Sequence, residues 1–244
     1  MARFFVDPSE INASFMILTG ENAAHAKVLR LKNGDEVTVC DGMGTDYRCT
    51  VSDVASGQIS LVVHSADPSK SEAAVKCRVY MALSKGDKFE HVIQKATELG
   101  ASELICFPSA RCVSRPDDKS LGKKLDRWQK IAASAAEQSR RGIIPAVRSL
   151  PSYKAALAEA ATADLAVCFY ENEEQLTFRT AIEAGSPFST VSILTGPEGG
   201  FEPDEVIQAQ AAGLKICTLG SRILRCETAP LCALSALMYA IGEF

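Results

Sequence analysis

The sequence lacks several features that would assign a protein to a class directly. No apolar run reaches the roughly 18–20 residues that a helix needs to cross a bilayer, and the longest, residues 231–241, is too short. No CxxC pair occurs among the nine cysteines, so neither a zinc site nor a dithiol redox motif is indicated. Internal repeats and low-complexity tracts are also lacking, which excludes a solenoid or a mainly disordered chain.

The composition is that of a packed globular protein. Hydrophobic residues make up 47% of the 244 residues and charged residues 23%. The cysteines are odd in number and scattered, as expected for reduced thiols in a cytosolic protein. Asp7 and Glu10 interrupt the first residues before any signal-like apolar core develops. We therefore expect a cytoplasmic protein without a membrane segment or a bound metal.

Charge is distributed unevenly along the chain. The overall net charge is −4, which argues against a protein that coats nucleic acid by bulk attraction. Residues 76–148 carry a net +7, whereas residues 149–212 carry a net −8. A basic middle inside an acidic chain is compatible with a local polyanion site and equally with a solvated helix face.

The first 70 residues have the pattern of a small β domain. Short alternating segments separated by glycines predict strands at residues 36–41, 47–51 and 58–64, arranged as an antiparallel barrel or sandwich. A short helix is predicted from Asn22, as N-cap, to Leu31. The polar residues 68–72 are predicted to form the linker to a second domain.

Residues 71–244 alternate between strand and helix patterns, which predicts an α/β domain with a covered parallel sheet. Predicted strands occupy residues 75–83, 103–107, 165–170, 190–194 and 215–219. Predicted helices occupy residues 89–99, 121–140, 152–161, 176–184, 203–212 and 230–241.

Two irregular segments each follow a predicted strand and precede a helix. The segment LTGPEGGF at residues 194–201 has no Gly-Lys-Ser/Thr and no GxGxxG spacing, so neither a P-loop nor a dinucleotide fingerprint is present. A glycine-rich turn at the carboxyl end of a buried strand is where open α/β sheets bind ligands, although a tight structural turn remains the alternative. The segment LGSRILRCETA at residues 219–229 surrounds an apolar pair with charge, which suits an adenine ring.

Four ordered motifs carry a family resemblance: QKATELGA, AAEQSRR, LTGPEGGF and LGSRILRCETA. Together with HAKVLR near the N-terminus, they resemble the ribosomal RNA small subunit methyltransferase E family of the SPOUT superfamily over nearly the whole chain. The chain departs from the family pattern at Glu202, where Ser or Thr is frequent as the N-cap, and Cys226 occupies a small, variable position.

The resemblance implies a PUA-like β-barrel at residues 1–70 and a trefoil-knotted methyltransferase domain at residues 71–244. It implies S-adenosylmethionine (SAM) as cofactor and a homodimer with the last helix in the interface. The helix residues suitable for this contact, which would serve equally well as ordinary core, are Leu231, Leu234, Leu237, Met238 and Ile241. The cofactor residues implied are Leu194, Thr195, Gly196, Gly199, Gly200, Leu219, Gly220, Ile223, Leu224, Arg225, Thr228 and Ala229.

The activity implied is methylation of N3 of one uridine in small-subunit (16S) ribosomal RNA. Arg225 is the first candidate for stabilising charge on the uracil carbonyls, because a guanidinium remains charged and offers forked donors. Glu198 is a candidate base, Glu227 is another, and water accepting the N3 proton is a third possibility.

The RNA partner is expected as free rRNA or as the assembled small subunit. The candidate RNA contacts are Arg3, Arg30, Arg48, Lys85, Arg111, Arg140 and Arg141. Two other functions compete with the methyltransferase: a non-catalytic RNA-binding or ribosome-assembly protein on the same fold, and an enzyme that cradles a nucleotide phosphate in the glycine-rich turn.

Overall fold

The computed structural model describes residues 2–185 and 187–244. The chain divides into two compact units. The first comprises Met1–Glu72 and Ala136–Ile144, and the second comprises Ala73–Ala135 and Pro145–Phe244. Residues 136–144 therefore pack with the N-terminal unit, although they lie in the middle of the chain.

The first unit is built on one five-stranded sheet. Its strands are β1 (Ala2–Phe5), β2 (Phe15–Leu18), β3 (Glu36–Cys40), β4 (Thr45–Ala55) and β5 (Gln58–Pro68), with a 3₁₀ helix at Pro8–Glu10 and helix α1 at Gly20–Val28. The strand order is β1-β3-β4-β5-β2. Alternate residues such as Val37, Val39, Val51 and Leu61 are buried, so one face of the sheet carries the core of this unit.

The prediction of a purely antiparallel first domain is wrong in one detail, because β1 pairs with β3 in parallel. The predicted N-cap Asn22 is also wrong: α1 begins at Gly20 after Thr19. The side chain of Asn22 instead donates a hydrogen bond to the carbonyl of Phe5 at 2.7 Å, a long-range contact that local pattern does not reveal.

The second unit contains a six-stranded sheet in which every pair of neighbours is parallel. Its strands are β6 (Lys76–Ala82), β7 (Glu103–Phe107), β8 (Ala146–Ser149), β9 (Leu165–Phe169), β10 (Thr190–Thr195) and β11 (Lys215–Cys217). The order is β11-β9-β10-β6-β7-β8. All five residues of β9 are buried, as expected for a strand covered on both faces.

Six helices accompany these strands. They are α2 (Lys88–Glu98), α3 (Asp118–Gln138), α4 (Tyr153–Ala160), α5 (Phe178–Gly185), α6 (Pro203–Ala211) and α7 (Thr228–Ala240). Helix α7 packs against α2, β6 and β10. The sequence patterns predict all six helices to within three residues at each end.

Helix α7, which the family resemblance places in a dimer interface, has both buried and exposed apolar side chains. Leu234, Leu237 and Met238 are buried within the chain, which agrees with the alternative that they belong to the ordinary core. Tyr239 on the same helix is 74% exposed, and Phe244 just beyond it is 69% exposed.

Candidate active site at the carboxyl edge of the parallel sheet

The turn after β10, residues 196–202, requires glycine at two positions. Gly200 has a φ of +67°, and a Cβ added there would lie 2.3 Å from Oε1 of Glu171. A Cβ on Gly196 would lie 3.1 Å from the carbonyl carbon of Gly200. We call residues 196–202 the glycine turn; its bare backbone leaves open the space that side chains would fill.

The segment after β11, residues 218–227, forms the opposite loop. The Oγ1 of Thr218 accepts a hydrogen bond from the amide of Gly220 at 3.1 Å, and Gly220 has a φ of +106°. Ile223 is 85% exposed, and Arg222 and Arg225 are exposed beside it. We call this segment the second loop, and α7 begins directly after it.

The carboxyl ends of neighbouring parallel strands meet at one edge of the sheet. The segments after β9, β10 and β11 therefore enclose a common cavity, with a volume of about 900 Å³. Ten of the residues predicted to bind a cofactor line it: Thr195, Gly196, Gly199, Gly200, Leu219, Gly220, Ile223, Leu224, Arg225 and Ala229.

Two predicted cofactor residues do not line the cavity. Leu194 is fully buried in β10, between β6 and β9. Thr228 is the first residue of α7 and lies beyond the second loop. The family resemblance implied both residues, and neither is among the residues that line the cavity.

The sequence reasoning missed an acidic side of the cavity. Glu171, Glu173 and Glu174 line it from the segment that follows β9. Glu173 accepts hydrogen bonds from the amides of Gln175 and Leu176 at 2.7 and 3.0 Å, which lower the pKa of its carboxyl. The signal was present in the sequence as ENEE directly after a buried strand, and we call these three residues the acidic wall.

A lysine from α2 joins the two loops that carry the glycine and arginine motifs. Nζ of Lys88 donates a hydrogen bond to Oε1 of Glu198 at 3.0 Å and lies 3.9 Å from Oε2 of Glu227. The amide of Lys85 donates a second hydrogen bond to Oε1 of Glu198, at 2.8 Å. Both Lys88 and Glu198 were visible as charged residues of motifs, but their pairing across 110 positions was not.

These contacts set the protonation of the cluster. Burial alone would raise the pKa of Glu198, but the hydrogen bonds from Lys85 and Lys88 outweigh it and hold the pKa below its ordinary value. The hydrogen bond to Glu198 raises the pKa of Lys88. Burial, together with the hydrogen bond to Glu227, raises the pKa of the Cys226 thiol to about 12, so this thiol is a poor nucleophile.

Arg111 braces the glycine turn from outside. Its Nε and Nη2 donate to the two carboxylate oxygens of Glu202 at 2.8 and 2.9 Å, and its Nη1 donates to the carbonyl of Gly199 at 2.8 Å. Arg111 is exposed, and its contact with RNA stays a prediction, while its observed partners are all in the glycine turn. The amide of Glu202 also donates to Oε2 of Glu205 at 3.0 Å, which supports the start of α6 without Ser or Thr.

The remaining predicted RNA contacts separate into two groups. Arg141 is 3% exposed and forms an ion pair with Glu72, and the guanidinium of Arg3 forks onto Asp46 at 2.9 and 2.7 Å. These two side chains are structural, so Arg141 is corrected as an RNA contact and Arg3 is not a free cation. Four predicted contacts are exposed: Arg30, Arg48, Lys85 and Arg140.

The described part of the chain has neither a cluster of metal ligands nor a membrane-spanning helix. Within residues 2–185 and 187–244, no group of three or more His, Cys, Asp or Glu residues is arranged to hold a metal ion. No helix in those same ranges has the length and apolar character needed to cross a membrane.

Comparison with known proteins decides the family. The family model described as an RNA methyltransferase domain matches residues 71–238, and an RNA methyltransferase PUA domain matches residues 18–63. The ribosomal RNA small subunit methyltransferase E of Bacillus subtilis is 37% identical, over 98% of this chain and 96% of that protein. The chain belongs to the ribosomal RNA small subunit methyltransferase E family.

Two further relatives agree with this assignment. The methyltransferase E of Mycobacterium tuberculosis is 33% identical over 96% of this chain and 90% of its own length. The crystal structure of the Neisseria gonorrhoeae methyltransferase E, bound to S-adenosyl methionine, matches with a TM-score of 0.86 and 29% identity, over 100% of this chain and 99% of that chain. The predicted order of a PUA-like domain followed by an α/β methyltransferase domain is confirmed.

Proposed function

We propose that this chain transfers a methyl group from SAM to N3 of a uridine in small-subunit ribosomal RNA. The observation that carries the proposal is the cavity between the glycine turn and the second loop, in a chain of the methyltransferase E family. The B. subtilis relative is named for the small ribosomal subunit, and the N. gonorrhoeae relative holds SAM.

The residues around the cavity fit SAM. Bare glycine backbone at Gly196 and Gly200 permits close approach, and the apolar residues Phe169, Ile223 and Leu224 suit an adenine ring. The acidic wall complements the positive charges of the sulfonium and amino groups. When bound, SAM supplies an electrophilic methyl group that needs no metal for activation.

Arg225 is proposed to stabilise the negative charge that develops on the uracil carbonyls. It lines the cavity and is exposed. Among the described residues, its guanidinium has no ion-pair partner within 4.0 Å. A charged donor that is not already paired with a carboxylate stabilises an oxyanion at its full strength.

The N3 proton requires an acceptor, and Glu198 remains the first candidate. Its pKa lies below the ordinary value, so the carboxylate is ionised but weakly basic. Because Glu198 accepts hydrogen bonds from Lys85 and Lys88, it also holds the glycine turn in position. Glu227 and water remain the alternatives for the proton.

The RNA is proposed to enter with the target uridine unpaired or extruded, because N3 lies on the Watson–Crick edge. Arg30, Arg48, Arg140 and Lys85 are the exposed cations proposed to hold the flanking backbone. We also propose a homodimer, in which the exposed Tyr239 and Phe244 would be covered by the second subunit.

Methyl transfer from radiolabelled SAM to unmethylated small-subunit particles tests the proposal. Digestion of the product should give labelled 3-methyluridine at one position. Arg225→Met should lower the single-turnover rate measured at saturating SAM, while the exposed Arg179→Met should leave the rate unchanged. Label in another nucleoside would refute the N3 assignment, and failure to transfer label to the particles or free rRNA would refute the activity.

A thermal-shift panel separates the two competing functions. A ligand at about 100 times its Kd adds about 2.7 kcal/mol of stability. Stabilisation by SAM is expected, whereas stabilisation by ATP or GTP alone would indicate the nucleotide enzyme. RNA binding without stabilisation by SAM would indicate the assembly protein.

A further inference from the structure

The first unit contains a second cavity, with a volume of about 300 Å³. Four basic side chains line it: Arg3, Arg48, Lys70 and Arg140. Asp46 and Asp67 line it as well. We call this cavity the basic pocket, and all of its residues belong to the first unit.

The balance of charge in the basic pocket is positive. Arg3 and Asp46 neutralise each other through a forked pair. Arg48, Lys70 and Arg140 form no ion pair with any residue in the described ranges. Three unpaired cations therefore face one further carboxylate, that of Asp67, and the pocket favours an anion.

Arg140, which lines the basic pocket, has a left-handed backbone conformation directly after helix α3. Its φ is +62°, in the left-handed region that non-glycine residues rarely adopt. A residue in this conformation commonly ends a helix, and here the amide of Arg140 donates to the carbonyl of Glu137 at 3.2 Å and the amide of Arg141 donates to the carbonyl of Ala136 at 2.9 Å. The exposed side chain of Arg140 therefore follows directly on the end of α3, and it lines the basic pocket.

Hydrogen bonds also hold the residues that follow Arg140. The amides of Gly142 and Ile143 donate to Oε1 of Glu72 at 2.9 and 3.0 Å, and the carbonyl of Arg141 accepts from Nη1 of Arg3 at 2.9 Å. A Cβ on Gly142 would lie 2.2 Å from that of Ser69, so the turn fits closely against the β5 end. The turn after Arg140 is therefore held by Glu72 on one side and by Arg3 on the other.

We propose that the basic pocket binds one phosphodiester group of the RNA backbone. This inference rests on the proposed function, because it assigns one contact of the RNA substrate. Guanidinium groups recognise phosphate oxygens through forked hydrogen bonds, and the Ser71 hydroxyl on the wall can add another. A cavity of about 300 Å³ has room for a phosphate group.

Arg140→Gly is the variant that removes the cation without adding strain, because glycine accepts a positive φ. Its binding to an rRNA fragment that contains the methylation site is measured over a range of salt concentrations. The slope of log K against log salt should fall by about 0.7–0.9 relative to the wild type, the amount expected for one lost phosphate contact. Arg48→Met should reduce the slope as well, and Lys32→Gly, an exposed cation outside the pocket, should not.

RNAs with a single methylphosphonate linkage locate the phosphate. A methylphosphonate at the contacted linkage should weaken binding by the wild type. It should leave binding by Arg140→Gly unchanged, because that variant already lacks the contact that the uncharged linkage removes. An unaltered salt slope for Arg140→Gly, or an equal loss at every linkage in both proteins, would overturn the proposal. Methyl transfer by the same preparations is measured separately, so an inactive wild type with an intact salt slope would refute the proposed function and leave the pocket standing.

Discussion

Nζ of Lys88, at the start of α2, lies 3.0 Å from Oε1 of Glu198 and 3.9 Å from Oε2 of Glu227. One ammonium group therefore joins helix α2 to the glycine turn and to the end of the second loop. Lys88 and Glu198 line the cavity that is proposed to hold SAM, and Glu227 directly follows Arg225 and Cys226, which line it as well, so the position of Lys88 affects both loops.

Replacement of Lys88 should loosen both loops. Lys88→Met removes a charge-assisted hydrogen bond worth about 1.5–3 kcal/mol, and we expect a rise of roughly tenfold or more in the Kd for SAM, measured by calorimetry. Lys88→Arg should recover part of the affinity, since it restores the charge. Lys95→Met on the same helix is the control, because Lys95 pairs only with Glu98 three residues on; an equal loss in that variant would contradict the role of Lys88.

The sequence predicted the features of the site that depend on short-range pattern. Residues 103–107 and 190–194 read as buried strands from their apolar runs, and the glycine turn was recognisable from residues that only a sharp bend needs. The trefoil knot is an expectation of another kind, because the family resemblance alone implies it and periodicity carries no information about threading.

Ion pairs between residues far apart in the sequence could not be predicted from the sequence pattern. Arg111 meets Glu202 across 91 positions, and Arg141 meets Glu72 across 69. An arginine that contacts RNA and one that braces a turn look alike in a sequence, because the difference lies in which carboxylate the fold brings near. The acidic wall was not predicted because ENEE has no glycine motif of its own. It reaches the site only because β9 lies beside β10 in the sheet.

Gly200 should be sensitive to substitution in a way that a matched glycine is not. Gly200→Ala adds a Cβ at 2.3 Å from Oε1 of Glu171, so the Glu171 side chain must leave its place on the cavity wall. We expect weaker SAM binding, together with about 1–2 kcal/mol of backbone strain. Gly213→Ala, with a φ of +95° and open space around it, should show the strain without the loss of affinity. Equal SAM affinity in the two variants would disprove the steric argument.

The Glu198 carboxylate should make stability depend on pH in acid. Its pKa in the folded chain lies below the ordinary 4.5, so its contribution is complete above that pH and is lost as pH falls through the folded value. Glu198→Gln should therefore be less stable than the wild type at pH 7, by about 1 kcal/mol, and the difference should shrink in acid. Urea unfolding at several pH values measures this, with the exposed Glu183→Gln as the control; a constant difference would exclude the effect.

The same variant tests whether Glu198 is the base. If the carboxylate accepts the N3 proton, the single-turnover rate should fall and lose the pH dependence that the wild type shows. If it only positions the glycine turn, the Kd for SAM should rise while the pH profile keeps its shape. Unchanged rates at every pH would remove Glu198 from catalysis and leave Glu227 or water as the acceptor.

Arg140 and Arg141 are neighbours in sequence and should behave in opposite ways. Arg141 is buried against Glu72, and breaking a buried pair from one side leaves an uncompensated charge at a cost of about 3–5 kcal/mol. Arg141→Met should therefore unfold at much lower urea concentration, whereas the exposed Arg140→Gly should be as stable as the wild type or more so. Adding Glu72→Gln to Arg141→Met should recover part of the loss, because the unpaired carboxylate is then gone. If the double variant is no more stable than Arg141→Met, the loss comes from packing rather than from the charge on Glu72.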